Sequence, residues 1–344
     1  MAKMGEMSPT GTKTSPQHRD LGLSDEDIQD LYAKMVLVRT LDERLWALNR
    51  QGRVPLVASC QGAEAASMAS SWAALRDGDC FFFPYYRDMP LKFMAGISTK
   101  EIMISHYAKA SDPTSGGRQF LLQGASLEHR FIHTSNVVGS SLTQATGYAL
   151  GCKLLGESTV VLVYFGDGST SEGEWHEAMN FVGIHHLPII FLCMNNRLAV
   201  SVPKEKQMSV ENVADRAVSY GFPGYVVDGT NALEVYQRTQ EAIDRARDPN
   251  GGSTLLDMQV ERLKPHTSDD DHRRYRSPQE LEASLSRDPL PRLKTYLVDL
   301  GLLSQETDQR LLDQAKREVN EVTDAAENEP WPDPATLLDN LYAP

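Results

Sequence analysis

Between residues 159 and 202, two apolar runs bracket an amphipathic segment, and no other feature limits so strongly what this chain can fold into. The runs, 160–165 (VVLVYF) and 188–194 (PIIFLCM), have the length and β-branched content of strands buried on both faces. Segment 174–184 between them is long enough for a crossover helix. Ser171 followed by Glu174 has the spacing of a capping box at its start. This is a β-α-β unit, and polar residues follow each strand: Gly166-Asp167-Gly168 after the first, Asn195-Asn196 after the second. In open α/β sheets, ligands bind at that carboxyl edge.

The rest of the chain continues the alternation. A helix starts at Ser24, with Ile28, Leu31, Tyr32, Met35, Leu41, Leu45 and Trp46 at helical spacing until Gly52. Residues 62–75, rich in small side chains, predict a close-packed helix, and 80–83 a short buried strand. Further helices are expected over 97–110, 142–155 and 232–247, and further strands over 225–229 and 254–260. Residues 111–134 and 262–276 read as loops. The tail, 278–344, is acidic and helical in pattern and is expected to pack on a partner subunit. The fold class is therefore α/β, a doubly wound, mainly parallel sheet with helices on both faces. One domain is expected over 21–344, with helical N- and C-terminal extensions. Residues 1–20 are polar, with neither a signal-peptide core nor an Arg-rich transit pattern, and read as a disordered arm.

Charge narrows the partners. Thirty-four Lys and Arg against 47 Asp and Glu give a net charge of −13, which argues against nucleic acid. No apolar run approaches the length of a membrane span. Cys60, Cys80, Cys152 and Cys193 are scattered in apolar contexts without a CxxC pair. They read as reduced core residues of a cytoplasmic protein rather than a disulfide frame or a zinc site.

The residues at the strand ends suit a magnesium-bound diphosphate. Glycines on both sides of Asp167 let backbone approach phosphate oxygens, and the following helix offers free N–H groups and a positive dipole end. Mg²⁺ takes about six oxygens and usually shares phosphate oxygens with one or two protein groups. Asp167, the Asn196 amide oxygen and a backbone carbonyl just beyond would supply the protein's share. Alone, GDG and NN are ordinary turns. At the ends of successive strands, 26 residues apart (169–194), they form a specific pair.

GDG, 26 residues, then NN resembles the thiamine-diphosphate motif. The flanking YFGDGSTSEGEWHEAMNF and NNRLAVSVP resemble the alpha subunit of the two-subunit 2-oxo acid dehydrogenases, over about 21–343. The resemblance implies thiamine diphosphate and Mg²⁺ as cofactors, the metal being held by Asp167, Asn196 and the Leu198 carbonyl. Gly168 and Ser169 would donate backbone N–H groups, and Tyr86 and Arg87 would contact the diphosphate. By themselves, residues 84–88 are a surface turn after a strand. Asn136 and Val138 would face the cofactor, Val138 as the apolar prop that bends it. Ser135, Val137, Ser140 and Ser141 fall where some members hold a structural K⁺, although Thr-Gln is commoner at the last two. Residues 262–276 alone read as a solvated charged loop, but PHTSDD…RYR resembles the family's mobile loop, which marks His266 as the catalytic histidine at the diphosphate end. Gly117-Arg118-Gln119 resembles a family GRQ segment.

The resemblance further implies a beta subunit carrying the Glu that activates the aminopyrimidine, a heterotetramer of two alpha and two beta chains, a small 2-oxo acid substrate and a lipoyl-bearing acyltransferase component. STSEGE and AVSVP lean towards a branched-chain substrate of the 2-oxoisovalerate type, with pyruvate or acetoin as alternatives. A non-catalytic scaffold subunit is the reading from another class. Three positions depart from the pattern. Met194 stands beside the diphosphate where Arg or Gln is common, Leu198 replaces a frequent aromatic, and Gln123 replaces a frequent His.

Overall fold

A computed structural model describes residues 17–119, 122–133 and 135–339. In chain order the strands are β1 Cys80–Phe83, β2 Gly124–Ser126, β3 Phe131–His133, β4 Val160–Gly166, β5 Ile189–Asn195, β6 Leu198–Ala199, β7 Val202–Pro203, β8 Gly224–Val227 and β9 Thr254–Gln259. Seven form one sheet in the order β2-β3-β1-β4-β5-β9-β8, while β6 and β7 make a separate hairpin. Every pairing in the large sheet is parallel except β2 with β3.

The helices are α1 Asp25–Arg50, α2 Glu64–Asp77, α3 Met89–Met94, α4 Thr99–His106, α5 Ser140–Leu155, α6 Gly173–His185, α7 Lys204–Gln207, α8 Ala232–Arg247, α9 Pro278–Leu285, α10 Pro289–Asp299 and α11 Gln305–Glu327. Strand periodicity sorts the core into two layers. Val160, Leu162 and Tyr164 of β4 join α1, α2 and α8 residues on one face, whereas Val161, Val163 and Phe165 join α5 and α6 on the other. The central strands are buried on both sides, which is why they read as continuous apolar runs. The doubly wound class is borne out.

Three expectations change. Residues His18–Leu21 form a 3₁₀ turn rather than part of a disordered arm, and buried His18 bonds the Tyr296 hydroxyl (2.7 Å) and Asp25 (2.8 Å), while 1–16 lie outside the described residues. Segment 111–134 contains β2 and β3, each only three residues long and too short to show a period. Ser171 does not cap α6. It closes a 3₁₀ turn, Asp167–Ser171, and Glu172 takes the N-cap position without a side-chain bond. The tail is helical as expected, and its α10 and α11 pack on α1, with Asp308 accepting from Tyr32 (2.6 Å) and Lys294 (2.6 Å).

Arg39 of α1 ties this shell to the core. Its guanidinium holds Glu64 of α2 at 2.5 Å and both oxygens of Asp288, the N-cap of α10, at 2.9 Å. The Glu64 side chain is 1% exposed, so removing its cation strands a buried charge. Arg39→Met is expected to cost about 3–5 kcal/mol, read as a lower urea midpoint for the chain; an unchanged midpoint would contradict the assignment.

Candidate active site

Strands β1, β4, β5 and β9 are adjacent and mutually parallel, so their carboxyl ends open on one edge. Each end delivers part of the site. Tyr86 and Arg87 follow β1, Asp167 follows β4, Asn196 follows β5, and Arg262 and His266 follow β9. Together they line a cleft of about 420 Å³. Ser135, Asn136, Val137, Val138, Ser141, Gly168, Ser169 and Leu198 also line it.

Asp167 is 1% exposed. Its backbone carbonyl accepts from Thr170 Oγ1 (2.8 Å) and Gln207 Nε2 (2.6 Å), which fixes the turn, while its carboxylate Oδ2 is buried without a hydrogen-bond partner. Burial pushes its pKa up to about 6, against the pull of the Asn196 backbone N–H and the Arg262 charge. Asn195 and Asn196 divide their work. Asn195 Nδ2 donates to Asp257 (2.9 Å) and its Oδ1 accepts from Arg197 N (3.0 Å), which sets the turn. Asn196 Oδ1 is left buried and unpartnered, like Asp167 Oδ2.

The β6–β7 hairpin closes over this pair. Arg197 and Val200 bracket Leu198-Ala199 with φ of 65° and 57°, a conformation costly for side chains other than Gly. A Cβ on Gly168 would lie 3.2 Å from Ala199 Cβ, so the turn and hairpin approach closely because residue 168 has no side chain.

The opposite wall is cationic. Arg87 donates through Nη1 to the Ser59 carbonyl (2.7 Å) and through Nη2 to the His266 carbonyl (3.1 Å); Arg262 donates to the Val200 carbonyl (2.7 Å) and the Tyr275 hydroxyl (3.0 Å). The Nε atoms of both are buried and unpartnered. Arg87 Nη2 and Arg262 Nη1 lie 3.4 and 3.5 Å from His266 Nδ1, and the imidazole meets Tyr86 edge-on at 5.9 Å. Burial and the two guanidinium charges push the His266 pKa down to about 4, so the ring is neutral near pH 7. Two guanidinium groups this close call for an anion.

Two expected residues lie elsewhere. Met194 is fully buried in the α1–α2–α8 layer beside Tyr164 and Met258, because β5 alternation sends residues 190, 192 and 194 to that face. It does not line the cleft. Ser140 turns its hydroxyl to the Val137 carbonyl (2.9 Å) at the start of α5 and is likewise absent from the lining. Gln123 donates to Asn136 Oδ1 (2.5 Å), and so supports the wall. Arg118 binds the Thr336 carbonyl (2.9 Å) away from the cleft. Sequence reading missed Gln207, Arg262, Leu56 and Glu172. Gln207 reaches Asp167 only after the hairpin reverses the chain, and no motif announces that.

Among the described residues, no three His, Cys, Asp or Glu side chains sit together to hold a metal. A metal at Asp167 and Asn196 would take one carboxylate and one amide oxygen from the protein and the remainder from its ligand, the pattern Mg²⁺ adopts with phosphates. Asp167 Oδ2 and Asn196 Oδ1, buried and unpaired, fit that demand.

Fold and site thus define an α/β protein whose sheet edge carries two unpartnered oxygens and two unpartnered guanidinium nitrogens in one cleft. The chain belongs to the dehydrogenase E1 component family, matched over residues 32–335. It is 44% identical over 327 residues to the 2-oxoisovalerate dehydrogenase subunit alpha of Bacillus subtilis, covering 95% of this chain and 98% of that one. It is 35% identical to the 3-methyl-2-oxobutanoate dehydrogenase subunit alpha of Mycobacterium tuberculosis (98% and 88% covered). Against the pyruvate dehydrogenase E1 component subunit alpha of Staphylococcus epidermidis, identity is 34% (93% and 83% covered). Membership implies thiamine diphosphate as cofactor, in line with the resemblance read from GDG and NN.

A metal at Asp167 must compete with the proton there. Half-saturation by Mg²⁺, read from intrinsic fluorescence at fixed thiamine diphosphate, is expected to weaken by about tenfold per pH unit below about pH 6. A flat response between pH 5 and 7 would contradict this reading of Asp167.

Proposed function

We propose that the chain is the alpha subunit of a decarboxylating 2-oxo acid dehydrogenase that acts on a branched-chain 2-oxo acid, with a beta subunit, in a heterotetramer of two alpha and two beta chains. The acyl group passes to the lipoyl group of an acyltransferase component. The observation that carries this reading is the pair of unpartnered oxygens, Asp167 Oδ2 and Asn196 Oδ1, opposite unpartnered guanidinium nitrogens in one cleft. The 44% identity to a 2-oxoisovalerate dehydrogenase alpha chain supports the substrate class.

Thiamine diphosphate, when bound, supplies the nucleophilic carbon and the electron sink for decarboxylation. Asp167, Asn196 and the Leu198 carbonyl would hold Mg²⁺. Arg87, Tyr86 and the backbone N–H groups of Gly168 and Ser169 would bind the diphosphate, and Arg262 would add a second cation to that wall. Asn136 and Val138 would orient the organic end, with Val138 as the apolar prop. His266 enters the site neutral. An anion placed against Arg87 and Arg262 would offset their charges and raise its basicity, readying it to take and return a proton.

The four cysteines are free and buried, in keeping with a reducing, cytoplasmic setting. No helix of the described residues is long and apolar enough to cross a membrane.

The test is turnover by the co-expressed alpha and beta chains with thiamine diphosphate, Mg²⁺ and an artificial electron acceptor. Preference for 3-methyl-2-oxobutanoate over pyruvate by about tenfold or more is expected, one or two methylene groups being worth that much in an apolar pocket. The alpha chain alone should be nearly inactive. Preference for pyruvate would overturn the substrate class, and cofactor-free, inactive assemblies would favour a scaffold.

A further inference from the structure

Helix α3 starts two residues after Arg87, and its N-cap Asp88 and its Lys92 place two charged residues in the interior one turn apart. Asp88, its N-cap residue, accepts from the Tyr85 backbone N–H (3.1 Å) and the Ser67 hydroxyl (3.1 Å), which holds the turn presenting Tyr86 and Arg87. Lys92 is 1% exposed, and its Nζ donates to the Leu122 carbonyl at 2.8 Å. Leu122 has a φ of 59°, a backbone state that a Leu holds only when its surroundings enforce it. The next residue, Gln123, is buried and donates to Asn136, which lines the cleft. The path Lys92–Leu122–Gln123–Asn136 is thus continuous, buried from Lys92 to Gln123 and open to the cleft at Asn136.

From this path we infer that Lys92 is a positioning residue for the organic end of the cofactor: by holding Leu122 in its left-handed conformation it sets Gln123 against Asn136. The inference rests on the thiamine-diphosphate reading above. Burial drives the Lys92 pKa down and the Asp88 pKa up, so the interior resists the charge on each. A Met of similar length would fill the same volume without that cost, so packing alone gives no reason for a lysine here. Asp88 and Lys92 place the two walls of the cleft on one short helix, the cationic wall through residues 85–87 and the Asn136 wall through residues 122–123.

The two walls can be tested separately. In the assembled alpha–beta protein, Mg²⁺ with inorganic pyrophosphate probes only the diphosphate wall, whereas Mg²⁺ with thiamine diphosphate probes both. Lys92→Met is expected to weaken thiamine diphosphate, read by calorimetry, by about tenfold to a hundredfold and to leave pyrophosphate within about twofold. Gln123→Leu should behave alike, and the double variant should be no weaker than the worse single one, because the two act through one path. Equal loss of both ligands, additive losses, or native affinity in Lys92→Met would each overturn the inference. Should Lys92→Met fail to fold, Gln123→Leu carries the same two-ligand comparison, and loss of both ligands there would overturn the path. Failure of the native assembly to bind thiamine diphosphate would instead overturn the functional reading.

Discussion

A carboxylate buried with one oxygen unpaired destabilises a fold unless a cation arrives to meet it, and Asp167 is held in that state by its surroundings. Gln207 and Thr170 spend their hydrogen bonds on its backbone carbonyl rather than on its side chain. Asn195 is tied to Asp257 and to its own turn, so that Asn196 alone faces the gap. Around this one residue the structure arranges a strained hairpin, a glycine that permits close approach, and a wall of guanidinium groups. Each is unfavourable by itself, and the set becomes coherent once a metal-bridged diphosphate is taken as the missing partner.

The parallel sheet makes the arrangement possible. Four neighbouring strands running in one direction end on one edge, so residues from positions 86 to 266 meet without long excursions of the chain. The unpaired oxygens at the β4 and β5 ends, Asp167 Oδ2 and Asn196 Oδ1, stay buried at the cleft without a hydrogen-bond partner. The helices of the C-terminal third brace α1 through Arg39, Asp288 and Asp308.

Much of this was legible from residue order. The runs at 160–165 and 188–194 are long and apolar enough to be strands under any packing, and both ends carry the residues found in the cleft. Legibility failed where short-range signals compete. Ser171 and Glu174 match a capping box, yet the 3₁₀ turn around Asp167 uses Ser171 and moves the helix start to Gly173. Strands β2 and β3, each three residues long, show no period, and edge pairing through backbone leaves no mark on side-chain type. Met194 illustrates a different limit. Position in a motif suggested the cleft, whereas the two-residue repeat of β5 assigns it to the core. Lys92 could not be found at all, since a lysine reads as exposed until its carbonyl partner is seen.

On this reading Asp167 anchors the metal that holds the diphosphate. Calorimetric titration of thiamine diphosphate with Mg²⁺ into the alpha–beta assembly, native and Asp167→Asn, tests it most directly. Saturable binding by the native assembly and a loss of about a hundredfold or more in the variant are expected, since an amide leaves the metal without its carboxylate. Equal affinity in the two would contradict it.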